Sequence, residues 1–142
     1  MAKSYWLLKT EPEDWSWNHQ TKSGKSGAEW NGVRNFQASK NLKNMKRGDK
    51  CFFYHTGKEK KIVGIVKVIK EHFKDRLDKT NKFVSIIVRA ESKLDKPVTL
   101  KEIKKNVFFN AMPLVKQSRL SVMKIDIKHW KKICKMGKIN EY

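Results

Sequence analysis

The chain is poor in acidic residues and nearly devoid of cysteine. Fourteen Asp and Glu stand against thirty-three Lys and Arg in 142 residues, a formal net charge of +19. Its two cysteines, Cys51 and Cys134, lie 83 positions apart with no C-x-x-C spacing. That scarcity excludes a disulfide-stapled domain and a structural zinc site, and makes both thiols reduced core residues. No uncharged apolar run is long enough to span a membrane, and Met1 to Trp6 lacks the apolar stretch of a secretory signal. A cytosolic protein (nuclear in a eukaryote) with no membrane partner is expected. A glycine-rich phosphate loop, internal repeats and low-complexity tracts are also missing. The length suits one domain over 1–142 with a real core, to which five Trp and seven Phe contribute much of the burial. A monomer is expected.

The cationic excess attracts phosphate backbones, and such attraction weakens with salt. Twenty-eight of the cations are Lys and five are Arg, so a general Lys bias accounts for the charge as well. Charge alone chooses neither DNA nor RNA.

Four short islands crowd aromatic, amide and hydroxyl residues against apolar ones. They are Tyr5-Trp6-Leu7-Leu8-Lys9-Thr10-Glu11-Pro12, Trp30-Asn31-Gly32-Val33-Arg34-Asn35, Phe52-Phe53-Tyr54-His55 and Gln117-Ser118-Arg119-Leu120-Ser121-Val122. This mixture suits a pocket for a flat, polar-edged ligand, in which aromatic faces stack and a few fixed donors and acceptors read an edge. A modified nucleobase meets that description.

Hydrophobic spacing predicts a strand over Tyr5–Lys9, then a mobile surface loop over Asn18–Gly27. Asn31-Gly32 reads as a turn, followed by a short helix from about Arg34 to Met45. Cys51–His55 and Ile62–Ile69 read as an antiparallel hairpin in which Gly64 marks a bulge or a close backbone approach. Phe83–Val88 is a further strand, and Thr99-Leu100-Lys101-Glu102 opens a helix as a capping box. Leu120–Met123 reads as a final strand. Asp126 caps a last helix that places Ile127, Trp130, Ile133 and Cys134 on one face. The sum is an α+β domain, a mostly antiparallel, closed sheet of five or six strands flanked by short helices.

In this order the islands resemble the EVE domain family, whose members have a PUA-like fold. The resemblance runs from about Tyr5 to Cys134 and takes in Gln37-Ala38, Met45-Lys46, Gly48-Asp49, Ile62-Val63-Gly64-Ile65, Pro97-Val98-Thr99-Leu100 and Leu114-Val115. It implies a pseudo-barrel with a pocket related to that of YTH domains, which hold a methylated base in an aromatic cage. It implies recognition of modified bases, with DNA favoured and an RNA-binding role on tRNA or rRNA as the alternative. Ser39-Lys40 stands where the family often has Arg-Asn, which removes an Arg able to touch phosphate. Thr56 stands where Ser is common and keeps the hydroxyl.

Several side chains carry two readings each. Trp30, just before a turn, either stacks on a ligand or anchors the core. Trp15 and Trp17 share a side if extended, one walling a pocket and the other closing the barrel end. Asn35 offers a donor and an acceptor to a base edge, or caps the helix that follows it. Gly32 and Val33 allow a close backbone approach to the ligand. Arg34 and Arg119 bind phosphate or pair with Glu11 or Asp49. Tyr54 and His55 alternate along a strand, so one lines the pocket and the other packs. Ser118 and Ser121 hydrogen-bond a base or cap a turn.

Catalysis finds little in the sequence. Cys51 and His55 share a strand face but lie roughly 13 Å apart along it, too far for a dyad. Glu11, Glu13 and Asp14 have no matching His pair and no metal-ligand spacing. A non-enzymatic binder without cofactor or metal is the expectation, and a nuclease or small-molecule hydrolase is the alternative.

Overall fold

The computed structural model of the chain describes residues 3–140. Its strands are β1 (Tyr5–Thr10), β2 (Ala28–Trp30), β3 (Lys50–His55), β4 (Lys61–Lys74), β5 (Val84–Thr99) and β6 (Val122–Ile125). The helices are α1 (Trp17–Lys22), α2 (Phe36–Asn44), α3 (Leu100–Lys105), α4 (Pro113–Lys116) and α5 (Ile127–Met136), with 3-10 turns at Gly24–Ser26 and Val107–Phe109. The strands form one sheet in the order β2-β5-β4-β3-β1-β6. Only β1 and β3 pair in parallel, and every other neighbouring pair is antiparallel.

Two adjacent aromatics on β3 sort the core into halves, because successive side chains on a strand point to opposite faces. Phe52 stacks on Trp130 of α5, with centroids 3.9 Å apart. Phe53 takes the edges of Trp17, Trp30 and His55 at 5.3 to 5.6 Å. The first half docks α5 on the sheet, and the second supports the site described below. Cys51 and Cys134 are buried in the core, neither in a disulfide.

The α+β, mostly antiparallel six-stranded architecture matches the expectation, but the sheet does not close. Among the described residues no ladder joins β2 to β6. Helix α2 packs against both β6 and β5 and spans the gap. Asn41 Nδ2 of α2 donates to Val122 O of β6 at 2.8 Å. A helix thus covers the edge that another strand would have paired.

The segment expected to be a mobile loop is ordered instead. Ser16 caps α1 in a reciprocal box with His19, whose Nδ1 accepts from Ser16 N at 2.9 Å while His19 N donates to Ser16 Oγ. Fully buried Gln20 ties the segment down: its Nε2 donates to Val88 O at 3.0 Å, and its Oε1 accepts from Trp15 Nε1 at 2.9 Å. The Ser, Gly and Lys composition of 18–27 hid these long-range bonds.

Gly64 marks both a register shift and a close approach. A Cβ there would lie 2.5 Å from the Trp17 ring, so the glycine admits that ring onto β4. Strand β5 runs well past Val88, to Thr99, and the final strand begins at Val122, not Leu120. Thr99 and Glu102 form the expected capping box. Trp130, Ile133 and Cys134 are buried on α5, but Ile127 in its first turn is 43% exposed. His129 takes the buried place near that end, against Phe108 and Phe109.

Candidate functional site

The turn after β2 is held open by one carboxylate. Asp75, the residue just after β4, has a fully buried side chain. Its Oδ2 accepts from Gly32 N and from Arg34 Nη1, each at 2.8 Å, and its Oδ1 accepts from Leu77 N. Burial pushes this carboxyl up, but the bonds from Arg34 and the Gly32 and Leu77 amides outweigh it and leave the group below its ordinary value. Gly32 has φ +78°, a conformation that favours glycine. Arg34 therefore pairs with Asp75, not with Glu11 or Asp49. Asp49 instead accepts from Ser4 N, Trp6 Nε1 and Lys46 N.

This turn forms one wall of a cleft of about 650 Å³. The turn contributes Asn31, Gly32, Val33, Arg34 and Asn35; Lys9, Thr10, Glu11, Asp14, Trp15, Glu29, Trp30 and Ser121 complete the lining. Trp15 and Trp30 are its two aromatic rings. Trp15 is fixed by its bond to Gln20 and by stacking on His19 at 5.3 Å. Trp30 is only 7% exposed and rests edge-on against Phe53, so it anchors the core and borders the cleft at once. Asn35 Oδ1 accepts from Ala38 N at 2.9 Å, which makes it the N-cap of α2 as well as a lining residue.

A second cleft of about 510 Å³ adjoins the first and shares Lys9, Thr10, Glu11 and Ser121 with it. Tyr54, Ser118 and Arg119 line this one, together with Lys60 and Lys104. Lys9 forms part of the partition: its Nζ donates to Ser118 O at 2.9 Å and lies 5.7 Å from the centre of the Tyr54 ring. Burial lowers the Lys9 ammonium and raises the Tyr54 phenol to about 12. Ser118 and Arg119 are exposed.

Two sequence candidates lie outside both clefts. Trp17 begins α1 and packs on Gly64 and Phe53, since the helix cap at Ser16 breaks the extended geometry that would have aligned it with Trp15. His55 is a brace. Its Nε2 accepts from Trp17 N at 3.0 Å and its Nδ1 faces Glu59 Oε1 at 2.9 Å, which places the proton on Nδ1. That hydrogen bond is the main reason the Glu59 carboxyl is lowered. Of the lining residues not put forward beforehand as ligand contacts, Lys9, Thr10 and Glu11 belong to the first island and Asn31 to the second, while Asp14 was weighed only as a catalytic carboxylate. Glu29, and Asp75 behind the wall, had no local signal.

An EVE domain model matches residues 4–136. Rpa0253 from Rhodopseudomonas palustris is 42% identical with a TM-score of 0.91, over 98% of this chain and 96% of that one. The human THYN1 protein, solved in complex with 5-methylcytosine-containing DNA, has a TM-score of 0.87 at 25% identity, over 98% of this chain and all of that one. Mouse thymocyte nuclear protein 1 is 39% identical over 90 residues, which are 55% of this chain and 40% of that protein's length. With the family's model spanning nearly its whole length, the chain belongs to the EVE domain family.

Proposed function

We propose that the chain is a non-enzymatic nucleic-acid-binding module that takes one modified base, favoured to be a cytosine in DNA, into the cleft between Trp15 and Trp30. The observation that carries this reading is the cleft itself: two fixed indoles, polar groups at its wall, and a volume in the range of small-ligand sites. The likeness to human THYN1, which was solved with 5-methylcytosine-containing DNA, supports the polymer and the modification class.

The cleft's carboxylates support an amino-bearing base. Glu11, Asp14 and Glu29 line it beside Lys9 and Arg34, in a molecule of net charge +19. Ionised carboxylates only accept hydrogen bonds, and they suit the exocyclic amine of cytosine or adenine better than the carbonyl of thymine. A methyl group filling apolar space adds about 0.8 kcal/mol. Catalysis is poorly served by the His and Cys of β3, which lie outside both clefts. Both His55 nitrogens are engaged, and burial pushes the Cys51 thiol well up.

The test is a binding screen of modified and plain oligonucleotides, DNA and RNA, of one sequence. A modified-cytosine DNA should bind tightest, and raising salt should weaken all affinities while leaving the modified-to-plain ratio in place. Equal binding of modified and plain strands would contradict the reading, and chemical turnover of any strand would overturn its non-enzymatic part.

A further inference from the structure

Phe36 is 66% exposed although it stands one residue from the cleft wall. Its ring is not loose. It stacks on Phe83 with centroids 5.0 Å apart and planes 28° apart, and the Arg34 guanidinium sits 5.4 Å from the centre of the Phe83 ring. The support beneath the pair is rigid on both sides. Phe36 opens α2 directly after its cap, Asn35. Phe83 N donates to Asp78 Oδ2 at 2.8 Å, Phe83 O accepts from Asp75 N, and Asp75 in turn grips Arg34.

A base drawn into the cleft leaves the base next to it with one face unstacked. That face needs a flat apolar surface close to the cleft, with a cation near the adjoining phosphate. Phe36 supplies the surface, and Arg34, which lines the cleft and is 40% exposed, supplies the cation. An exposed, braced ring at this place has a chemical complement in the strand that the cleft reading would seat beside it.

We infer that Phe36, backed by Phe83 and braced through Arg34, is the stacking platform for the base adjacent to the one held in the cleft. The inference rests on the base-binding reading of that cleft. The experiment places 2-aminopurine on the 5′ or the 3′ side of the 5-methylcytosine in an oligonucleotide and follows its fluorescence and affinity. The unaltered protein and Phe36→Trp should quench the probe on one side. Phe36→Ala should lose that quenching and bind roughly tenfold more weakly, with its modified-to-plain ratio preserved. Quenching that survives in Phe36→Ala, or that the unaltered protein shows on neither side, overturns the platform. The two readings fail separately, because an unaltered protein that binds modified and plain strands equally contradicts the cleft reading instead.

Discussion

Trp30 serves two neighbours at once, and that makes it a poor target for blunt substitution. Its edge packs on Phe53 while the residue borders the cleft, so Trp30→Ala should cost about 3–5 kcal/mol of stability. Trp30→Phe keeps a ring in place and should weaken modified and plain strands alike, a loss of stacking within the roughly 1–3 kcal/mol such contacts carry. Asn35 also has two roles, and they can be separated. Asn35→Asp keeps an oxygen for the Ala38 amide but removes the side-chain amide NH2 donor. With that donor reading the base, Asn35→Asp should retain the melting temperature and lose discrimination between bases, as titrations with two bases at one position would reveal. Asn35→Ala should lose about 1 kcal/mol of stability besides.

At the scale of elements, the end of the β4–β5 hairpin sets the cleft wall through Asp75. The sign of its pH dependence follows from the lowered carboxyl. Stability from Asp75 is fully present above the unfolded value of about 4 and is lost as pH falls through the lower folded value. Asp75→Asn should reduce stability at pH 7 by about 1–3 kcal/mol and flatten the fall in melting temperature as pH drops below about 4. An unchanged slope in thermal melts would assign the acid sensitivity to other carboxylates. Elements defined by local chemistry were legible from sequence: Asn35, Thr99 and Asp126 all act as helix caps, and the β3–β4 hairpin forms where two apolar runs put it, although β4 continues past Ile69 to Lys74. Features set by distant partners were not. Gln20 reaches Val88, Arg34 reaches Asp75 41 positions away, and α2 substitutes for a strand pairing at the gap in the sheet. The site was half legible for the same reason. Trp30 and 31–35 sit in an island dense enough to notice and Trp15 stands three residues past another, whereas the helix cap that turns Trp17 into the core is a consequence of folding.

Across the whole molecule, charge is sorted in a way that composition conceals. The chain carries +19, yet the first cleft sets Glu11, Asp14 and Glu29 against Lys9 and Arg34, while the second adds Lys60, Lys104 and Arg119 to the shared Lys9 and Glu11. Under the proposed function, base reading would fall to the first cleft and backbone contact to the second, the division that recognition of a base within a strand calls for. The most direct test uses the five tryptophans, each with one indole N–H signal in a 15N-labelled sample. On titration with an oligonucleotide containing 5-methylcytosine, the Trp15 and Trp30 signals should shift most, while those of Trp6, held by Asp49, and of buried Trp130 stay near their starting positions. The plain oligonucleotide should produce smaller shifts at the same two residues. Shifts that spare Trp15 and Trp30, or that are identical for the two strands, would contradict a modified base seated in this cleft.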